Sequence, residues 1–375
     1  MKIVVAIDSM KGSLSSMEGG MAIKEGILRA MPDAQVTVMP LADGGEGTTE
    51  ALTRGLGGRR ISVTVTGPDG NPVTANYGYL EESRTAVMEM ATAAGITLIP
   101  LKRCDPMKAT TRGVGEMILN ALEQSCESFL IGIGGSATND GGLGMLKALG
   151  FQFLDSHGQD VGEGAQALGK ISRIQTESAD PRLFRCRFRI ACDVVNPLCG
   201  PEGATHIFGP QKGLSEWQTE EVDRDMAHFA AITAETLGKD LKYTAGTGAA
   251  GGLGFAFLAY LNGELTPGID LVLDAIGLEQ KIAEADIVVT GEGRLDAQTA
   301  MGKAPVGVAR LAKRHGARVI AFAGSVTPDA RACNDAGIDA FFPILRSILT
   351  LEQAMEPNEA RRNLTDTTEQ VFRLL

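Results

Sequence analysis

Two stretches at opposite ends of the chain share one design. KIVVAID at 2–8 and ADIVVTGEG at 285–293 are apolar runs of strand length that end on an acid among small residues. A run without polar alternation has to be buried on both faces, which is the mark of a parallel strand between helical layers. The neighbouring segments follow the same plan. A helix is predicted from Ser15 to Met31, stopped by Pro32, then a strand QVTVMPLAD at 35–43 and a helix GTTEALTRGLG at 47–57. Toward the C-terminus come a helix around 303–315, a strand ARVIAFAG at 317–324, a helix at 327–336 and a strand DAFFPIL at 339–345. Such alternation predicts βαβ units in a parallel sheet.

The middle of the chain reads differently. Residues 59–91, RRISVTVTGPDGNPVTANYGYLEESRTAVMEMA, alternate with period two around the turn signals PDG and NP, which predicts antiparallel hairpins. FQFLDSHGQDVGEG at 151–164 and FRCRFRIACDVV at 184–195 add further strands. At 375 residues the chain is long for one core and comfortable for two. The simplest arrangement is an α/β protein of two domains. A doubly wound, Rossmann/flavodoxin-like parallel-sheet domain takes 1–60 plus 286–375, and an inserted α/β domain of the α+β kind takes 61–285.

Composition removes several function classes. A net charge of −11 with no basic stripe argues against a nucleic-acid partner. The six cysteines, at 104, 126, 186, 192, 199 and 333, contain no C-x-x-C pair and accompany only four histidines. Structural zinc is therefore not expected, and scattered thiols fit a reducing compartment. The apolar run in MKIVVAID is too short for a signal segment, and no run reaches membrane-spanning length. A cytoplasmic protein without a membrane partner is expected; a homo-oligomer is left open. The 47 glycines fall in short loops between apolar runs, where they permit tight turns and close backbone approach to a ligand.

IGIGGSATNDGG at 131–142 is the most informative of those loops. Gly132, Gly134 and Ala137 match a G-x-G-x-x-A dinucleotide turn, and Asp155 stands about twenty residues on, where a ribose-binding acid would lie. Asp140 opposes that reading: near a helix N-terminus it repels a pyrophosphate unless a cation intervenes, whereas a metal-bridged triphosphate tolerates it. A ligand-free helix cap is the competing role for Asp140. Two look-alikes carry less. Residues 164–170 imitate a P-loop, but Ile171 replaces the hydroxyl residue that magnesium needs. Gly246-Thr-Gly248-Ala-Ala-Gly251 is a second glycine turn, weak by itself.

Four further segments set acids beside small residues at strand ends: Asp8-Ser9-Met10-Lys11-Gly12-Ser13, Ala42-Asp43-Gly44-Gly45-Glu46-Gly47, Asp193-Val-Val-Asn196-Pro197, and 290–296 with Glu292, Arg294 and Asp296, followed by Lys303. Each alone could be a turn or a cap. Ligands of open α/β sheets bind beyond the carboxyl ends of the strands, so four such loops point to a shared site. Their side chains suit phosphoryl transfer to a small hydroxy acid: oxygen ligands for Mg²⁺, cations for phosphate or carboxylate, and an Asp to accept a hydroxyl proton. The histidines at 157, 206, 228 and 315 lie outside the glycine-rich loops and form no Ser-His-Asp set.

Six strings, IDSMKGSLSS (7–16), LADGGEGT (41–48), GIGGSATNDGGLGML (132–146), CDVVNPLCGPEGAT (192–205), AAGGLGFAF (249–257) and TGEGRLDAQTAMGKAP (290–305), together resemble the type 1 glycerate kinase family. They span essentially the whole chain in the family's order; Met10 stands where the family usually has Phe. The resemblance implies ATP-dependent phosphorylation of D-glycerate to 2-phospho-D-glycerate with magnesium, in two α/β domains with the active site in the cleft between them. The choice of the 2-hydroxyl rests on the resemblance alone.

Within the motifs, physical reasoning distributes the roles. Gly134, Gly135, Ser136, Asn139, Gly251 and Gly252 are expected at the ATP phosphates, and Asp140 and Asp296 at Mg²⁺. Lys11 and Arg294 are expected to neutralise the substrate carboxylate or developing charge. Asp8, Ser9, Asp43, Glu46 and Glu292 are expected to line the glycerate site. Asp193 is the expected base, with Asn196 positioning the substrate and Asp43 in reserve. The rival readings are an NAD(P)-dependent hydroxy-acid oxidoreductase and a hydroxy-acid binding protein with a two-domain cleft.

Overall fold

A computed structural model describes residues 1–41, 48–100 and 105–375. The chain forms two compact units, Met1–Leu56 with Ile269–Leu375, and Gly57–Gly268. Both are mixed α/β with parallel strands, as the alternation of elements predicts.

The first unit holds a five-stranded, wholly parallel sheet in the order Ala340–Pro343, Arg318–Val326, Ile287–Leu295, Lys2–Val5, Gln35–Val38. Ile3 lies opposite Ile287 on one side and Val36 on the other. Ile3, Val5, Ile287, Val289, Ile320 and Phe322 join one core with the helices Ser16–Ala30 and Pro357–Phe372. The alternate residues Val4, Val288 and Val319 are buried too, and helix Ala304–Arg314 packs on Ile287–Leu295 and Arg318–Val326. Burial on both faces is why these strands are apolar without interruption. Helix Ser16–Ala30 starts where Ser15 and Glu18 cap each other reciprocally, an S-x-x-E signal present in the sequence.

The two strands that carry the opening motif, Lys2–Val5 and Ile287–Leu295, are neighbours. The chain leaves them in opposite directions across the sheet, toward Gln35–Val38 and toward Arg318–Val326. Such a reversal opens a crevice beyond the strands' carboxyl ends.

The second unit holds a six-stranded sheet: Glu264–Thr266, Arg187–Ala191, Ser128–Gly132, Thr85–Glu89, Pro72–Leu80, Arg59–Thr66. The first four strands are parallel; the last two continue antiparallel, as the period-two pattern at 59–91 predicts. Phe129 and Phe188 stack at 4.7 Å in its core, and Phe153, Phe229, Phe257 and Tyr260 extend the aromatic cluster. The strands expected through 151–164 and 184–195 are shorter, Gln152–Leu154 and Arg187–Ala191. The chain crosses between units at 56/57 and 268/269, whereas the sequence suggests 60/61 and 285/286. Ile269 explains the second difference. It seats against Gly307 of helix Ala304–Arg314 so closely that a Cβ there would lie 2.6 Å from Ile269 Cγ1, and this ties 269–285 to the first unit. Among the described residues no helix is long and apolar enough to cross a membrane.

Candidate active site

In the first unit, the crevice at the strand-order reversal is a cavity of about 540 Å³, inside the range of about 300–1,000 Å³ usual for small-ligand sites. Asp8, Ser9, Lys11 and Ser13 line it from the loop after Lys2–Val5; Glu292, Arg294, Asp296 and Lys303 line it from the end of Ile287–Leu295 and beyond. Met10, Ile344, Leu345, Leu351 and Met355 form an apolar wall. A wall of that kind lowers the local dielectric and strengthens charge contacts made beside it. The cavity thus brings Asp8, Ser9, Lys11, Glu292, Arg294 and Asp296 together, without Asp193 or Asn196. Asp43 and Glu46 lie outside the described residues.

Local bonds fix these side chains. The Asp8 amide donates to the Gly291 carbonyl at 2.9 Å, tying the two loops together, and the Ser9 amide donates to Asp8 Oδ1 at 2.7 Å. Gly291 is required where it stands, since a Cβ would fall 1.9 Å from the Phe322 carbonyl oxygen. Asp296 caps a short helix: its Oδ1 accepts from the amides of Gln298 and Thr299, while its Oδ2 lies 3.5 Å from Arg294 Nε. The Thr299 hydroxyl donates to Glu292 Oε1 at 2.7 Å. Ser13 Oγ is buried without a hydrogen-bond partner among the described residues.

In the second unit, the loops after Ser128–Gly132 and Arg187–Ala191 meet the turn at 246–252. Gly134 and Gly135 are exposed, and a Cβ on Gly134 would touch nothing within 4 Å. They remain open to a ligand. Gly251 and Gly252 do not: both are buried, and a Cβ on Gly251 would fall 2.1 Å from the Thr138 carbonyl oxygen. The Gly141 amide donates to the Gly251 carbonyl at 2.9 Å. These two glycines serve loop-to-loop packing instead of the expected phosphate contact. Asn139 is buried as well, its Nδ2 donating to Thr205 Oγ1 at 3.0 Å. Asn196 spends its side-chain amide on the Glu202 carbonyl at 2.8 Å, so it shapes its own loop. Asp193 is exposed, with Oδ1 accepting the Gly268 amide at 2.8 Å.

Asp140 departs furthest from its expected role. It is fully buried; Oδ2 accepts from the Thr111 amide, the Thr111 hydroxyl and the Gly144 amide, and Oδ1 accepts from the Gly142 amide. Burial pushes its carboxyl above the ordinary range, and these four donors oppose the shift. With no exposed surface and four donors from the surrounding loops, Asp140 has no open face for a cation and instead anchors the glycine loop. Asp296 is less enclosed: Oδ1 accepts from the helix-start amides, and Oδ2 faces Arg294 at the cavity. The described residues contain no group of three or more His, Cys, Asp or Glu side chains placed to hold a metal ion.

The dinucleotide reading also fails on geometry. The helix after the fingerprint, Leu143–Ala148, is only 6 residues long and starts beyond Gly142. Asp155 sits in a hairpin turn, where its Oδ1 accepts from the amides of His157 and Gln159. One residue that sequence reasoning passed over belongs to the loop cluster. Lys212 is 2% exposed and donates from Nζ to Ser136 Oγ at 2.8 Å and to the Thr138 carbonyl at 2.7 Å. Nothing in THIFGPQKG marks it, because a lysine in a polar turn ordinarily lies at the surface.

The sequence matches the glycerate kinase family over residues 3–375. It is 47% identical to a glycerate kinase of Bacillus subtilis strain 168, over 95% of this chain and 93% of that protein. It is also 47% identical to a glycerate 2-kinase of Escherichia coli K12, over 94% of this chain and 93% of that one. A crystal structure of a protein described as a glycerate kinase 2 from Salmonella typhimurium LT2 superposes with a TM-score of 0.90 at 45% identity, covering 100% of this chain and 98% of that chain. No oxidoreductase stands among these relatives. The chain belongs to the glycerate kinase family.

Proposed function

We propose that this chain transfers the terminal phosphoryl group of ATP to the 2-hydroxyl of D-glycerate, releasing 2-phospho-D-glycerate and ADP. The observation that carries the reading is the union of Lys11 and Arg294 with Asp8, Glu292 and Asp296 around one cavity, in a chain of this family. Lys11 and Arg294 hold the glycerate carboxylate, Arg294 being steered by Asp296. Asp8, Ser9 and Glu292 supply acceptors and a hydroxyl for the substrate's two alcohols. Ser13 Oγ gains a partner when the site fills.

The nucleotide phosphates lie against Gly134, Gly135 and Ser136, whose turn is open. Asp140 and Asn139 hold that turn in shape from beneath. The 2-hydroxyl oxygen attacks the terminal phosphorus, its proton passes to Asp193, and the bond to the bridging oxygen breaks to give ADP. Magnesium would ride on the nucleotide's own phosphates and offset their charge. Each unit supplies residues to the reaction, and the first is read as doubly wound and flavodoxin-like. We place the enzyme in the cytoplasm.

The test is ADP release by the purified protein with ATP and D-glycerate, L-glycerate or no acceptor. Release that depends on D-glycerate is expected. Equal release without acceptor, or none, would remove the assignment.

A further inference from the structure

We propose that Lys212 is a positioning residue for the nucleotide: it fixes the Ser136 hydroxyl as a hydrogen-bond donor aimed at a phosphate oxygen. The inference rests on the reading of the Gly134–Gly135–Ser136 turn as the phosphate site.

A buried lysine is exceptional. Lysine is almost never fully removed from water unless its ammonium is engaged, since desolvating the charge is costly. Here the side chain is 2% exposed and delivers two short bonds, 2.8 Å to Ser136 Oγ and 2.7 Å to the Thr138 carbonyl. The backbone supports that placement. Lys212 ends the short turn Pro210–Lys212, and Gly213 follows in a left-handed conformation (φ 102°) that reverses the chain. The same segment grips the far side of the loop, where Thr205 Oγ1 accepts from Asn139 Nδ2. Residues 203–213 thus clamp 136–139 at two points.

The chemistry of the bond decides what Ser136 can do. An ammonium has three donors and no acceptor, so Ser136 Oγ must accept from Lys212. With one lone pair taken by Lys212, the hydroxyl hydrogen is repelled by the ammonium and directed away from it. A hydroxyl polarised by a cation behind it is a stronger donor. Ser136 is 8% exposed and adjoins the two exposed glycines of the turn. An anion resting on Gly134 and Gly135 therefore meets a hydroxyl whose polarity has been set in advance. A surface serine would instead have to reorient on each binding event.

Three variants test this: Lys212→Met, Ser136→Ala and the double variant. ATP and adenosine affinities are measured by calorimetry, KM for D-glycerate by ADP release, and fold by thermal melting. Lys212→Met and Ser136→Ala are each expected to weaken ATP by roughly tenfold, the size of one hydrogen bond to a charged group. Adenosine affinity and KM for D-glycerate should stay near wild type, because neither depends on the phosphates. The double variant should lose little more than either single one, since the two residues act as one unit. An unchanged ratio of ATP to adenosine affinity in either variant, or losses that multiply in the double variant, would overturn the proposal. If Lys212→Met does not fold, Ser136→Ala decides by the same ratio. Wild-type protein that binds no ATP overturns the functional reading itself, whereas an active wild type with unaffected variants overturns only the role of Lys212.

Discussion

An aspartate in a glycine-rich turn has the same one-letter signature whether it ligates a cation, caps a helix or anchors a loop. For Asp140 the deciding fact is burial beneath four donors, and burial is a property of the folded chain. Replacing it by Asn would turn an amide toward donors that require an acceptor. Asp140→Asn is therefore expected to destabilise the protein by about 2–4 kcal/mol, read as a lowered midpoint in urea. Unchanged stability together with a lost response to magnesium would return Asp140 to the metal. Arg294 belongs to the opposite class: exposed, lining the cavity, and legible in the sequence as a cation among acids. Arg294→Ala should raise KM for D-glycerate by roughly tenfold or more, the loss of a charge-assisted contact, with KM for ATP little changed. A rise confined to ATP would place Arg294 at the nucleotide.

Elements were easier to read than contacts. The two-face burial of Lys2–Val5 and Ile287–Leu295 is written in their unbroken apolar runs, and the start of helix Ser16–Ala30 in its Ser15–Glu18 pair. The glycines of 246–252 announced a turn but not its purpose. Ala250, Gly251 and Gly252 all take positive φ, at 52°, 66° and 92°, and the backbone of 138–141 lies against the last two. Sequence spacing cannot distinguish a glycine that admits a phosphate from one that admits another loop, because both need the same missing Cβ. Gly251→Ala places a methyl group 2.1 Å from the Thr138 carbonyl oxygen, so the loops must separate. A loss of about 2–4 kcal/mol is expected, seen as a lower melting temperature. A variant as stable as wild type would show that the two loops are not locked together.

At the scale of the whole molecule, the chemistry assigned here needs no thiol. Burial pushes Cys126 up to about 12 and raises Cys186, Cys192, Cys199 and Cys333 in the same direction; all five are free. Thiolate is the reactive form, so iodoacetamide at pH 8 should label these five slowly in native protein and fast in urea, followed by peptide mass spectrometry. Fast native labelling at Cys126 would contradict the packing described around it. The central claim concerns the product. Phosphorus NMR of purified protein with ATP, magnesium and D-glycerate should show ADP appearing together with 2-phospho-D-glycerate. ADP with the 3-phospho isomer, or no glycerate-dependent phosphoester at all, would contradict it.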